Sequence, residues 1–135
     1  MISSETRLSL LRWVAALFFM GAGLNHFWHA DFYEQIVPPG FPSPKMLVIV
    51  SGVAEFLGGL GLLIHPVRRA AGWGLIALLI AVYPANIYMA FHPGRFDLPA
   101  WVLWARLPFQ VVFLAWVWFV AKQSPPRADA SKLLH

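Results

Sequence analysis

The sequence predicts an all-α membrane protein, a bundle of four transmembrane helices, and three observations predict it. Four stretches of about 18 or more largely apolar residues, the length that reads as a span, run through the chain. With 59% hydrophobic and 12% charged residues and a mean hydropathy of +0.65, the chain lacks the polar surface that a soluble domain of this size needs. Its ten Lys and Arg are also unevenly placed. Arg7, Arg12, Arg68, Arg69, Lys122, Arg127 and Lys132 fall on one side, Lys45 and Arg95 on the other, and Arg106 within the last span. By the positive-inside rule both termini are expected to be cytoplasmic, with segments 25–45 and 92–99 outside. The net charge of +4 expresses this bias and gives no reason to expect nucleic acid. Without cysteine, the chain can do no thiol or disulfide chemistry of its own.

The expected spans are 8–25, 46–64, 70–91 and 100–121, forming one transmembrane domain over 1–121 with a polar cytoplasmic tail over 122–135. The first span also fits a secretory signal, with Arg7 and Arg12 ahead of an apolar core and Gly21-Ala22-Gly23. Cleavage there would leave Asn25 and His26 at a bare terminus, so four spans are retained. After the first span, Trp28, Phe32 and Ile36 recur every four residues, which predicts a short amphipathic helix lying in the outer interface. The following "PPGFPSP" reads as a stiff extended strap, or a lid. The short turn at His65 to Arg69 makes spans two and three antiparallel neighbours. Small residues allow close helix contact in lipid, which predicts packing along Ala77, Ala81 and Ala85 and along Ser51, Glu55 and Gly59. Trp13, Trp73, Trp101 and Trp104 lie near expected helix ends, as an aromatic belt does.

Glu55 is the residue that most needs explaining. It lies ten positions in from Lys45, about 15 Å deep at the rise of a helix, where an ionised carboxylate is expensive without a partner or a purpose. Arg106 is about 9 Å in on the fourth span. Asn86 lies at similar depth, Gln110 one turn further along from Arg106, and Asn25 and His26 at the outer end of the first span. These positions predict a Glu55–Arg106 pair, direct or through water, in an outward-facing polar pocket. Pro84 and Pro108 lie beside Asn86, Arg106 and Gln110, and interior prolines break helices where the backbone lines a cavity. Such a Glu–Arg pair can also be structural, fixing which helices pack. Glu55 and His26 are the candidates for proton transfer or acid–base chemistry. A weaker metal reading rests on His26, His29 and His92, with Asp31, Glu34 and Asp97 near in sequence.

"GAGLNHF", "FYEQIVPPGFP", "SGVAEFLGGLGLL", "RRAAGWGLIALLIAVYPANIYMA" and "WARLPFQ" together resemble the DoxX-like family of small four-span membrane proteins. The resemblance runs to about Ala121. It implies a four-helix bundle that gathers Asn25, His26, Glu55, Asn86, Arg106 and Gln110, and an association with membrane redox systems, including a thiosulfate:quinone oxidoreductase. The expected function is therefore that of a bacterial inner-membrane protein binding a small apolar or quinone-like molecule, as subunit or accessory of redox partner subunits. The alternatives are a proton-coupled transporter of small solutes titrated at Glu55, and an assembly scaffold without a ligand.

Overall fold

A computed structural model describes residues 1–122, so the expected tail lies outside the described residues apart from Lys122. Helix α1 is Ser4–Trp28. Ser3 Oγ accepts the Thr6 N–H at 3.1 Å, and Glu5 in the first turn complements the positive helix end. This cap starts α1 a turn before Leu8. His29, at φ −120° and ψ 45°, breaks the chain into α2, Ala30–Ile36. Gly40 at φ +100° turns the connection, Ser43 takes a left-handed conformation, and Pro44 opens α3, Pro44–Leu63. A 3-10 turn at His65–Val67 leads into α4, Arg68–Phe91, and a second at Pro93–Arg95 precedes α5, Ala100–Lys122. The described residues are helical, with no strand. Four of the five helices are long and apolar enough to cross a membrane, which makes this a multi-pass membrane protein by length and composition. Helices α4 and α5 continue through Pro84 and Pro108.

Around the bundle the order is α1, α3, α4, α5, and the closing seam between α5 and α1 is the slightest contact. Glycines make the closest crossings. A Cβ on Gly23 would stand 2.6 Å from the Gly52 carbonyl oxygen and 2.7 Å from the Phe56 nitrogen, and one on Gly59 would stand 2.8 Å from the Ala16 carbonyl. Gly58 and Gly61 receive Leu75 and Ala71 of α4, and Gly72 receives Ala121 of α5. Small residues thus bring the backbones together, but not the alanines expected to do so. Ala77 and Ala81 are exposed and Ala85 is half-buried. Glycines allow a closer approach than any alanine ridge, so α4 packs through Gly72, Ala71 and Leu75 and leaves the expected alanines to one side. The Ser51–Glu55–Gly59 stripe does face α1.

Two packed regions divide the bundle lengthwise. At the end that carries the N-terminus and the α3–α4 turn (the terminal end), Ala15, Ala16, Phe19, Leu62, Leu75, Val117 and Val120 form a solid core. At the opposite end (the loop end), Ile36 of α2 packs with Met89, Phe96 and Leu103, and Phe32 lies against them. The expected Trp28–Phe32–Ile36 face is corrected here. Trp28 ends α1 and is 84% exposed, because the break at His29 rotates α2 out of the α1 register. Trp13, Trp73, Trp101 and Trp104 are exposed.

Candidate functional site

Between the two packed regions the helices enclose an open cavity of about 810 Å³. Its wall is mostly apolar, with Phe18, Leu78, Val82, Phe109 and Phe113 among the residues that line it. Helices α1, α3, α4 and α5 all contribute, with Tyr33 and Ile36 of α2 and with Pro38 and Phe41 from the connection that follows it. Its polar atoms come from His26, Tyr33, Ser51, Glu55, Asn86, Arg106 and Gln110. The sequence named five of these. Asn25 is not among the lining residues. It turns instead to the base of α2, where its Nδ2 donates to the Tyr33 hydroxyl at 2.9 Å and its Oδ1 meets His29 Nδ1 at 2.7 Å.

The polar atoms form two groups. On the α1/α3 side, His26 Nε2 lies 3.1 Å from a Glu55 carboxylate oxygen, with both side chains nearly buried. His26 Nδ1 lies 3.1 Å from Ser51 Oγ and 3.3 Å from the Val48 carbonyl. Ser51 directs its own hydroxyl hydrogen to that carbonyl at 3.1 Å. With that hydrogen so placed, Nδ1 donates to the Ser51 oxygen; turned toward the imidazole, the same hydroxyl donates to Nδ1 instead. A hydrogen bond between Nε2 and the Glu55 carboxyl needs one proton, which lies between the two side chains. Tyr33 stacks on the imidazole at 4.1 Å between centroids and holds its plane.

On the α4/α5 side the bonds run in one direction. Arg106 Nε donates to Asn86 Oδ1 at 3.2 Å, Asn86 Nδ2 donates to Gln110 Oε1, and Gln110 Nε2 donates to the Leu79 carbonyl. Leu79 lies next to Ile80, whose carbonyl loses its helical donor to Pro84. The chain fixes both amides and leaves Nη1 and Nη2 of Arg106 without a hydrogen bond to the described residues. The expected Glu55–Arg106 pair is not made directly: each side chain takes its own nearer partner. His26 lies one helix crossing from Glu55, where Gly23 and Gly52 draw α1 onto α3, and it takes the carboxylate first. A depth estimate along each helix carries no information about which helices touch.

The metal reading is corrected as well. His29 is held by Asn25, and His92 Nδ1 lies 2.8 Å from the Tyr88 carbonyl, so neither joins His26. Among the described residues no three His, Cys, Asp or Glu side chains gather as a metal site would need. Sequence reading missed Tyr33 as a site residue and placed Ser51 only on a packing stripe. The signal for Tyr33 was the break at His29, which turns it toward His26.

No curated protein and no solved structure matches the chain. A family model described as a domain of unknown function does, over residues 15–121, which takes in the whole cavity. This protein belongs to the DUF8561 family.

Proposed function

We propose that the chain binds a small, largely apolar molecule with a hydrogen-bond-accepting head, of quinone-like chemistry, in the cavity at its loop end. The observation that carries this reading is Arg106, a guanidinium on the wall of an apolar chamber with no carboxylate partner among the described residues and two nitrogens left to donate. A cation at that depth marks a functional site by default. A carbonyl or similar oxygen would satisfy it, and a charge-assisted bond of that kind contributes about 1.5–3 kcal/mol. Across the cavity, the His26–Glu55 pair holds a proton that it can give to, or share with, a second polar atom of the ligand. In this reading the chain sits in a bacterial inner membrane with both termini cytoplasmic, so the cavity opens outward. The DoxX-like motifs support a place as subunit or accessory of a membrane redox system. The solid terminal-end core favours binding over transport, since it fills the half of the bundle that a through-path would have to cross.

Mass spectrometry of small molecules co-purifying with the full chain tests this reading. Wild type should retain a discrete compound, and Arg106→Leu should lower its occupancy roughly 10- to 100-fold. Ala85→Trp should abolish retention by filling the chamber, while the protein stays monodisperse. A blank in wild type, or equal retention in all three proteins, would sink the reading.

A further inference from the structure

The terminal end holds a second group of charges that the cavity does not use. Arg68, the first residue of α4, is only 8% exposed, and its Nε donates to the Leu62 carbonyl at 2.7 Å. Arg12 of α1 is half-buried and reaches across to α5, where Nε and Nη2 donate to the Val120 carbonyl at 3.4 and 3.3 Å. The two residues whose carbonyls they bind, Val120 and Leu62, belong to the same packed cluster, so both guanidiniums reach into one end of the bundle. Both therefore grip the last turn of a neighbouring helix, whose carbonyl end suits a cation. That role uses one face of each guanidinium. Arg12 Nη1 and both terminal nitrogens of Arg68 make no hydrogen bond to the described residues. No carboxylate among the described residues pairs with either one. Glu5, the acidic residue in the first turn of α1, is exposed and forms no ion pair among the described residues, and Arg7, Arg69 and Lys122 add further positive charge at this end. Two like charges this sheltered, with no counter-ion among the described residues, are a costly arrangement unless an anion shares them.

We propose that Arg12 and Arg68 together form an anion site at the terminal end of the bundle, built for a phosphate group. Planar guanidiniums bind phosphate oxygens in a fork that a point charge does not match. A phosphate at this end could come from the headgroup of an anionic phospholipid in the adjoining leaflet or from solution. Bound there, it neutralises the pair and ties α1 and α5, across the slightest seam of the bundle, to α3 and α4. The site is independent of the loop-end cavity.

Thermal unfolding of the full chain in a neutral detergent tests the site. The additions are phosphatidylglycerol, a neutral galactolipid of the same acyl chains, or sodium phosphate matched in ionic strength by sodium chloride. Phosphatidylglycerol should raise the melting temperature by about 5–10 °C over the galactolipid, and Arg12→Gln should remove that difference. Sodium phosphate producing the same rise would assign the site to a soluble anion, and no rise with it would assign the site to the lipid headgroup. The paired change Arg69→Gln with Lys122→Gln should keep the rise, because these are surface charges. A rise lost in that double variant but kept in Arg12→Gln overturns the site in favour of diffuse surface attraction. No rise in wild type with either phosphate source leaves Arg12 and Arg68 as helix caps only and also overturns it. Should Arg12→Gln fail to fold, phosphorus analysis of delipidated wild type decides. About one retained phosphate per chain supports the site, and none excludes it.

Discussion

Gly23→Ala should lower the melting temperature of the purified protein by about 10 °C, while Gly21→Ala should leave it unchanged or slightly raised. Both glycines lie in the same stretch of α1, and a helix gains from alanine over glycine by about 1 kcal/mol. They differ in what an added methyl meets. At Gly21 nothing lies within 4 Å, whereas at Gly23 the methyl would collide with backbone atoms of Gly52 and Phe56. Backbone cannot swing aside as a flexible side chain can, so α1 and α3 must separate. Overpacking of this kind costs roughly 1–3 kcal/mol, sometimes more, and at this chain length about 3 kcal/mol corresponds to the shift stated. The separation also pulls His26 from Glu55, because Gly52 packs directly beneath the His26 Cβ. Gly23→Leu should therefore give protein that does not accumulate as a monodisperse species on gel filtration. Equal melting temperatures for the two alanine variants would mean that the α1–α3 crossing is looser than described.

Removing one member of the His26–Glu55 pair should cost more than half of what removing both costs. Breaking a nearly buried pair strands the remaining partner, at roughly 3–5 kcal/mol, so Glu55→Leu and His26→Leu should each lower the melting temperature by about 10 °C or more. The double variant should show a coupling of about 2 kcal/mol rather than the sum of the two losses. Glu55→Gln combined with Arg106→Gln should instead be close to additive. Those two side chains take different partners, His26 on α1 and Asn86 on α4. Coupling in the Glu55/Arg106 cycle and additivity in the Glu55/His26 cycle would reverse the assignment made from the geometry.

Much of the architecture was legible in the residue order because it depends on local quantities. Span length, charge bias and the short "HPVRRA" turn are read along the chain, and bilayer thickness converts them into helices. The polar residues were legible for a related reason. In so apolar a chain, any Glu, Arg, Asn or Gln within a span is conspicuous, and the loop-end halves of the helices are where His26, Glu55, Asn86, Arg106 and Gln110 fall. Arg12 and Arg68 were harder to see. In sequence they read as the edges of spans, and only the folded chain shows them turned inward onto the carbonyls of Val120 and Leu62.

Composition and spacing by themselves determined that four apolar helices exist, roughly where each begins and ends, and which polar side chains lie at depth. The tertiary structure alone decided the pairing of those side chains. Depth along a helix has one dimension, whereas a hydrogen bond needs two helices in contact at a particular rotation. That rotation is set by where backbones can approach, and here the glycines of α1 and α3 set it, giving Glu55 to His26 and leaving Arg106 to Asn86. The same rotation turned Ala81 and Ala85 toward a chamber instead of a helix seam, which is why the cavity could not be located from the small-residue pattern.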